Sequence, residues 1–344
     1  MWLRMLPLKP KNQIQPKNMP ILSPDYSPSW PWFRNKHFAT IATTQFRSVT
    51  LPRPFQRIRL TTPDDDFIDL DITQNEHPRL VVILHGFEGS SQSSYVRGIT
   101  RHLSIHDWDV VAINYRGCSG EPNRTSRAYH AGEIVDLAHS IDHLLQTRNY
   151  QEIALVGYSL GGNVLLNYLA RHRPLPAQVI AGVAISVPID LRTAVFEIMK
   201  PGHEVYHRNF YRKIMRKMKE KQRVYPDLLP YQDIFKARDI DEIDEIYTAP
   251  FHGFKNAAHY RERSSALFML DQIQRPVLLL NALDDPFLTP TNFPYEIAET
   301  SPYLSLLTPR YGGHCGFWMK GGVYYHESKA RWFIEQYSNG EKQM

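Results

Sequence analysis

Residues 153–169, IALVGYSLGGNVLLNYL, contain an apolar run, a Gly-x-Ser-x-Gly pentapeptide and a helical stretch in direct succession. This order predicts a strand, a sharp turn and a helix, with Ser159 at the apex of the turn. Gly157 and Gly161 lie two residues before and after the serine, where a larger side chain would collide with the strand or the helix. Such a turn exposes the serine Oγ above a sheet and places a helix N-terminus behind it. A nucleophilic serine needs both features, so we predict Ser159 as a nucleophile, with a structural glycine-rich turn as the alternative.

Short apolar runs alternate with helical stretches on both sides of this turn. Unbroken apolar runs are typical of buried parallel strands, and they occur at residues 80–84, 110–113, 153–156, 179–185, 277–280 and 304–307. Helices are expected at residues 95–105, 134–145 and 325–337. This alternation predicts an α/β fold with a mostly parallel central sheet and helices on both of its faces.

Two further strands are predicted before this series. Residues 55–60 and 67–72 flank a turn that contains Asp64, Asp65 and Asp66, and the second run alternates apolar and acidic residues. The alternation predicts a half-exposed strand in an antiparallel edge hairpin. The turn lacks the glycine and the distal glutamate of an EF-hand loop, so we favour the hairpin over a calcium site.

The α/β rhythm is interrupted between residues 188 and 256, which are polar, basic and helical in pattern. Phe210, Ile214 and Met218 share one face of a predicted helix, and Arg and Lys residues cover the rest. Since this segment falls between two predicted strands, we interpret it as a lid inserted above the serine. The predicted organisation is an extended, weakly ordered leader at 1–30, a body in two parts at 31–187 and 257–344, and a helical lid at 188–256.

Charge is distributed unevenly along the chain. The net charge is +5, and residues 1–60 contain ten Lys or Arg residues against one acid, Asp25, so the remainder is mildly acidic. A mildly acidic body argues against a nucleic-acid partner, although the basic leader or the lid could contact anionic lipid headgroups. No apolar run is long enough to span a bilayer. We expect a cytoplasmic protein, monomeric by default, and leave peripheral contact with the inner membrane face open.

A serine nucleophile needs a histidine base and an acid that fixes the tautomer of that histidine. His314 lies in a glycine-rich loop just beyond the last apolar strand, from which it can reach back over the sheet edge. Asp284 and Asp285 directly follow the strand at 277–280, and the chain order Ser, Asp, His is the one that a hydrolase sheet requires. We predict Asp285 as the acid, with Asp284 as the alternative and Asp190 as a third candidate.

Two backbone N–H groups are needed to stabilise the negative charge that develops on a substrate carbonyl oxygen. Leu160, the residue after the nucleophile, is expected to supply one of these oxyanion-hole donors. Phe87, in the turn after the strand at 80–84, is expected to supply the other. His85 in the same turn is then interpreted as a residue that shapes the loop and not as a base.

Competing chemistries find little support in the sequence. It contains no H-E-x-x-H, no C-x-x-C and no phosphate-binding P-loop, so we expect neither a metal nor a cofactor. Arg116 is expected to brace loops. Cys118 and Cys315 are expected to be two buried thiols, which we favour over a regulatory disulfide.

An ordered set of motifs runs through the chain: NKHFATI at 35–41, HGFEG at 85–89, NYRGCSGE at 114–121, YH at 129–130, GYSLGGN at 157–163, NALDDPF at 281–287 and GGHCGF at 312–317. As a set they resemble the motifs of the α/β-hydrolase superfamily. Within it they resemble the YheT-like family, which includes animal α/β-hydrolase-domain lipases and yeast ethyl-ester synthases. The first motif departs from the family pattern at Ala39, where the family has Gln. The resemblance implies esterase, lipase or acyl-transfer activity and a catalytic set at Ser159, Asp285 and His314.

These residues together predict a serine hydrolase that cleaves carboxylic esters through an acyl-enzyme intermediate. The expected substrate is a small-molecule ester or an acyl lipid. An acyltransferase, in which an alcohol replaces water in the second step, is an alternative that the sequence does not separate. A non-catalytic binding module with a hydrolase fold is less well supported, because nucleophile, base, acid and donor turn are all present.

Overall fold

The computed structural model describes residues 21–73, 75–228 and 231–339. Nine strands in this part of the chain form one central sheet. They are β1 (Ile21–Leu22), β2 (Gln56–Thr61), β3 (Phe67–Thr73), β4 (Arg79–Leu84), β5 (Asp109–Asn114), β6 (Glu152–Tyr158), β7 (Val179–Ile185), β8 (Val277–Leu280) and β9 (Leu304–Leu307). Their order across the sheet is β1-β9-β8-β7-β6-β4-β5-β3-β2.

The sheet is mostly parallel, as predicted. All neighbouring strands from β1 across to β5 run parallel, whereas β3 pairs antiparallel with both β5 and β2 to form the predicted edge hairpin. The prediction that β3 is half-exposed is wrong: all of its residues are buried, because its acidic residues Asp69 and Asp71 pair with Arg59 and Arg57. β6 lies in the middle, paired with β4 and β7, and all of its residues are buried. The turn that follows β6 therefore emerges at the centre of the carboxyl edge of the sheet.

The segment at 21–30 differs from the predicted leader. Residues 1–20 lie outside the described residues, but β1 adds a parallel edge strand to β9. Tyr26 is buried, and its hydroxyl donates to the carbonyl oxygen of Trp318 (3.1 Å). The prediction of a weakly ordered leader up to residue 30 is therefore wrong for 21–30, because backbone pairing and aromatic burial attach this segment to the sheet.

The helices confirm the predicted alternation, and the expected helices at 95–105, 134–145 and 325–337 match observed helices within two residues at each end. The α-helices are α1 (Lys36–Gln45), α2 (Ser94–Ser104), α3 (Val135–Thr147), α4 (Leu160–Arg171), α5 (Leu191–Met199), α6 (Glu204–Val224), α7 (Tyr231–Ile234), α8 (Ile240–Ile243), α9 (Ala249–Phe251), α10 (Ala257–Ser264), α11 (Tyr295–Thr300) and α12 (Tyr325–Glu335). Segments of 3₁₀ helix lie at Pro31–Arg34, Ala266–Gln272 and Pro290–Asn292, and a π-helical turn lies at Asp244–Thr248.

Two apolar clusters lie on opposite faces of the sheet. Successive residues of a strand point to opposite faces, so an unbroken apolar run can bury both. In β4, Leu80 and Val82 pack in the cluster that includes α3 and α4, whereas Val81 and Ile83 pack in the cluster that includes α2 and α12. The unbroken runs in the sequence thus predict a sheet covered on both sides, and the structure confirms it.

All described elements between β7 and β8 are helical. The longest is α6, whose residues Ile214 and Met218 are buried against α8, while Phe210 is half-buried. The Phe210 ring lies 5.5 Å from the ring of Phe87, which follows β4, so α6 extends over the carboxyl edge of the sheet. The expected apolar face of this helix is confirmed, and its role as a lid stays a prediction.

The outer face of α6 is basic and exposed. The exposed cations are Arg208, Arg212, Lys213, Arg216, Lys219 and Arg223. Among the described residues no helix is both long enough and apolar enough to cross a membrane. Peripheral membrane contact through the lid stays a prediction.

The buried side-chain amide of Asn163 joins α4 to the segment that precedes β8. The side-chain amide of Asn163 donates to the carbonyl oxygens of Ala131 (2.8 Å) and Ser264 (2.7 Å), and its oxygen accepts from the N–H of Ala266 (2.9 Å). Asn163 is fully buried, one turn after the serine. The amide therefore fixes the helix behind Ser159 to two other segments of the body.

We expect Asn163→Leu to lower the free energy of unfolding by about 2–4 kcal/mol, because each buried polar group left without a partner costs about 1–3 kcal/mol. The Ala131 carbonyl and the Ala266 N–H lose their partner, whereas the Ser264 carbonyl keeps a bond from Asn167 (2.9 Å). Urea unfolding measures the change. The matched control is Asn149→Leu at an exposed position, which should shift stability by less than about 0.5 kcal/mol. Equal losses of unfolding free energy in both variants would contradict a stabilising role for the Asn163 amide.

Candidate active site

The Gly-x-Ser-x-Gly pentapeptide forms a sharp turn between β6 and α4. β6 ends at Tyr158 and α4 begins at Leu160, so Ser159 alone joins them. Ser159 has a φ of +51°, a left-handed conformation that non-glycine residues rarely adopt. Its N–H donates to the carbonyl oxygen of Ile185 at the end of β7 (2.9 Å), and its carbonyl accepts from the N–H of Gly162 (2.9 Å). These bonds hold the strained serine at the carboxyl edge of the sheet, where it is only partly buried.

Glycine is required on both sides of the serine because backbones approach closely there. A Cβ on Gly157 would lie 2.5 Å from the carbonyl oxygen of Gly161. A Cβ on Gly161 would lie 2.4 Å from the carbonyl oxygen of Leu84. Neither contact is sterically allowed. The prediction that a larger side chain at Gly157 or Gly161 would collide with the neighbouring backbone is therefore confirmed.

The predicted base and acid lie together beyond the last two strands. His314 Nδ1 is 2.9 Å from Oδ2 of Asp285, whose side chain is fully buried. The other carboxylate oxygen of Asp285 accepts from the N–H of Phe287 (2.9 Å). The Phe287 ring packs on the imidazole with 4.5 Å between centroids. The imidazole is thus held on one nitrogen and one face, which leaves Nε2 as the nitrogen available for a proton transfer.

Two hydrogen bonds fix the loop that carries His314. The N–H of His314 donates to Oγ1 of Thr40 in α1 (2.9 Å), and the N–H of Cys315 donates to Oγ of Ser186 (3.0 Å). Ser186 directly follows β7, whose last residue binds the Ser159 N–H. The loop is therefore held at the part of the sheet edge where Ser159 lies.

Sequence reasoning missed the roles of Thr40 and Ser186. Thr40 lies in the NKHFATI motif at 35–41. This motif supported the resemblance to a family but did not indicate what each of its residues does. Asn35 in that motif caps α1 by accepting from the N–H groups of His37 and Phe38 (both 3.0 Å). Ser186 gave no signal, since its partner is 129 residues away.

The two alternative acids have other partners. Asp284 accepts from the N–H of Gly313 through Oδ1 (2.8 Å), and within the described residues its buried Oδ2 has no hydrogen-bond partner. Burial, and to a smaller extent the charge of Asp285, raise the pKa of Asp284 to about 6, although the bond from the Gly313 N–H lowers it. Asp190 caps α5 and pairs with Arg192 (2.9 Å). The structure thus places Asp285, and not these two, against His314.

The two predicted oxyanion-hole residues follow neighbouring strands: Phe87 follows β4 and Leu160 follows β6. In the turn after β4, the N–H of Gly86 donates to the Tyr95 hydroxyl (2.9 Å) and that of Glu88 to the Tyr129 hydroxyl (2.8 Å). Across residues 21–73, 75–228 and 231–339, the N–H groups of Phe87 and Leu160 have no hydrogen-bond partner. Two backbone donors therefore remain available beside the serine turn.

His85 shapes this turn, as predicted. It is buried, its Nδ1 donates to the carbonyl oxygen of Gly86 (2.7 Å), and its Nε2 accepts from the N–H of Tyr115 (3.3 Å). Burial lowers the pKa of His85 to about 4. The ring is therefore neutral at physiological pH, with both nitrogens engaged.

Arg116 pairs with acidic residues of two other segments, and the two cysteines are not bonded to each other. Arg116 is 5% exposed, and its guanidinium donates to Asp136 (2.8 Å) and Asp64 (2.6 Å), which confirms that it braces loops. Cys315 is buried, Cys118 is partly buried, and both are free thiols. The expectation of a buried thiol is confirmed for Cys315, whereas Cys118 is less buried than expected.

A strained serine after the middle strand of a parallel sheet, with a His–Asp pair beyond its later strands, is the arrangement of the α/β hydrolases. Residues 79–320 match the family model described as the alpha/beta hydrolase fold. The chain is 35% identical to YheT of Escherichia coli, with 86% of this chain and 87% of that protein covered. The chain therefore belongs to the α/β-hydrolase family, and within it to the YheT-like group.

More distant relatives and solved structures agree with this assignment. The monoacylglycerol lipase of Saccharomyces cerevisiae is 26% identical over 81% of this chain and 62% of that protein. The phospholipase ABHD3 of Bos taurus is 27% identical over 82% and 73%. The Pyrococcus furiosus esterase Pf2001 has a TM-score of 0.58 and 17% identity, over 85% of this chain and 98% of that one, which shows a shared fold. The chain is thus an enzyme of the ester-hydrolase type.

The raised pKa of Asp284 predicts a pH-dependent change in stability. The native carboxyl titrates near pH 6 and the unfolded one near 3.8, so the native state binds more protons between these values and loses stability as the pH rises. Asp284→Asn removes this titration. The Tm of the variant relative to wild type should rise from pH 4 to pH 6 and stay level above pH 7.

Thermal unfolding at each pH tests this expectation, with Asp271→Asn at an exposed carboxylate as the matched control. A difference in Tm between Asp284→Asn and wild type that does not change with pH would contradict it.

Proposed function

We propose that the protein cleaves carboxylic esters through a triad of Ser159, His314 and Asp285 and an acyl-enzyme intermediate. The observation that carries the proposal is the 2.9 Å bond between His314 Nδ1 and buried Asp285, on a loop tied to the strand end that holds Ser159. With Nδ1 donating to the carboxylate, Nε2 is the basic nitrogen of the neutral ring. The pair supports proton transfer from a serine, which is the step that a serine hydrolase requires.

The first half of the proposed reaction transfers the acyl group to the enzyme. His314 Nε2 takes the proton of Ser159, and the serine Oγ attacks the ester carbonyl carbon. The N–H groups of Phe87 and Leu160 stabilise the oxyanion of the tetrahedral intermediate. The bond to the alcohol oxygen then breaks, and His314 returns the proton to the leaving alcohol, while Asp285 stabilises the imidazolium.

In the second half, water repeats the attack on the acyl-enzyme. His314 takes a proton from the water, the tetrahedral intermediate forms against the same two N–H groups, and the Ser159 oxygen leaves with that proton. The products are a carboxylic acid, an alcohol and the free enzyme. An alcohol that entered in place of water would give a new ester by the same steps.

We further propose that the acyl part of the substrate is apolar. Three aromatic rings lie over the proposed centre: Phe210 of α6 is 5.5 Å from Phe87 and 6.1 Å from Phe287, which itself packs on His314. An acyl chain bound between the lid and the sheet edge would contact these rings. The names of the yeast and bovine relatives, a monoacylglycerol lipase and a phospholipase, support acyl lipids as the substrate class.

Ser159→Ala should abolish turnover of p-nitrophenyl esters and labelling by a fluorophosphonate probe, because the nucleophilic oxygen is absent. The loss in kcat should be on the order of 10⁴-fold or more, since members of a triad act as one unit. A wild-type enzyme that neither hydrolyses esters nor reacts with the probe would contradict the proposal. Added ethanol, followed by product analysis, distinguishes hydrolysis from acyl transfer.

The aromatic rings predict a chain-length dependence. Each methylene buried against them contributes about 0.8 kcal/mol, so kcat/KM should rise about two- to fourfold per methylene from acetate to hexanoate esters. Phe210→Ala should flatten this rise. Phe268→Ala, at an exposed phenylalanine outside the cluster, is the matched control and should keep it. A wild-type kcat/KM that falls steadily with chain length would contradict an apolar acyl site.

A further inference from the structure

Glu88, next to the proposed oxyanion donor Phe87, is held in an unusual conformation. Its φ is +52°, in the left-handed region that a residue with a Cβ adopts only when its surroundings hold it there. Its carboxylate is 9% exposed. Glu88 follows Phe87 directly, so a group that fixes Glu88 restricts the turn on the carboxyl side of Phe87, one residue from the peptide that carries the Phe87 N–H.

Two side chains hold Glu88. The hydroxyl of Tyr129 accepts from the Glu88 N–H and donates to its Oε1 (both 2.8 Å). The ammonium of Lys217 donates to the same Oε1 (2.6 Å) and lies 5.0 Å from the centre of the Tyr129 ring. Tyr129 belongs to the body, whereas Lys217 belongs to the lid helix α6. The lid thus reaches into the turn that carries the oxyanion donor.

Among the described residues, Lys217 has one further hydrogen-bond partner, the thiol of Cys118 at 3.2 Å. Burial raises the pKa of Cys118 to about 11, so this group is neutral at physiological pH. The Glu88 carboxylate is therefore the charge that balances the Lys217 ammonium. Lys217 itself is 16% exposed, so water screens this ion pair little.

We propose that Lys217 is a positioning residue: by its ion pair with Glu88, the lid helix holds the Phe87 N–H in the direction of the oxyanion. This inference rests on the proposed function. Lys217 touches neither the reacting atoms nor the triad, and it acts through Glu88. Without the ammonium, the buried carboxylate loses its counter-charge and keeps only the Tyr129 hydroxyl as a partner. We expect it to turn toward solvent and to shift the backbone of the turn.

The effect should appear in the chemical step. An oxyanion donor contributes more to the transition state than to the ground state, so its displacement lowers kcat while KM changes little. Removal of such a donor typically costs about 10²- to 10³-fold in kcat, and a displaced donor should cost less. We expect Lys217→Met to lower kcat about 10- to 100-fold and to change KM by less than about twofold.

The test compares Lys217→Met with Lys221→Met in the full-length enzyme. Lys221 lies one turn further along α6, is 1% exposed, and donates to Asn123 (2.9 Å) and not to the oxyanion turn. Both variants lose a buried ammonium from the same helix. Lys221→Met should keep kcat and the rate of fluorophosphonate labelling within about threefold of wild type, whereas Lys217→Met should lower both.

Two outcomes would overturn the proposal. One is a Lys217→Met enzyme with wild-type kcat. The other is an equal loss in Lys217→Met and Lys221→Met, because a general loosening of the lid would then account for both.

Glu88→Gln keeps the test informative if Lys217→Met does not fold. The neutral amide keeps the shape of the side chain and the bond to Tyr129 but not the ion pair, so it should lower kcat in the same way. If both residues act through one pair, the double variant should lose no more activity than the worse single variant. Independent, multiplying losses would contradict a shared role.

Ser159→Ala separates this inference from the proposed function. If Ser159→Ala retains ester turnover, the proposed function fails, and the role of Lys217 fails with it. If Ser159→Ala is inactive and Lys217→Met is fully active, only the role of Lys217 is wrong.

Discussion

The close approach of α4 to the end of β4 is the constraint on which the rest of the site depends. At Gly161 the two backbones leave no room for a Cβ, which would lie 2.4 Å from the Leu84 carbonyl oxygen. The chain passes from β6 into α4 through one residue with positive φ, Ser159. A left-handed residue costs about 1–2 kcal/mol, which the hydrogen bonds to Ile185 and Gly162 offset. The same contact leaves the Leu160 N–H beside the turn that begins after Leu84.

The parallel sheet gathers the remaining groups, because all of its parallel strands end at one edge. Five of the parallel strands are followed by a loop that carries one residue of the proposed site: β4 by Phe87, β6 by Ser159, β7 by Ser186, β8 by Asp285 and β9 by His314. Helices outside the sheet then fix these loops. Thr40 of α1 binds the His314 loop, and Lys217 of α6 binds the loop of Phe87 through Glu88. The site is thus a set of short loops on a rigid sheet, each held by a hydrogen bond from a distant segment.

Much of the fold could be predicted because its signals are local. Unbroken apolar runs mark the parallel strands, the amphipathic pattern marks the inner face of α6, and the glycine spacing around Ser159 marks the tight turn. The prediction failed where the signal was not local. The segment at 21–30 is rich in proline and lacks periodicity, yet β1 pairs with β9 and Tyr26 is buried beside Trp318, nearly 300 residues away in the chain. Composition does not show such a partner.

The sequence by itself determined the α/β class, the position of the serine and the order of serine, aspartate and histidine along the chain. Only the tertiary structure decided between Asp284 and Asp285. Neighbouring residues in a loop point to different sides, and no periodicity shows which of them meets His314. It also decided that two lysines of the basic helix α6 turn inward, Lys221 to Asn123 and Lys217 to Glu88, which lies 129 residues earlier in the chain. Contacts of this kind depend on where loops and helices meet in space, and local sequence pattern does not encode that.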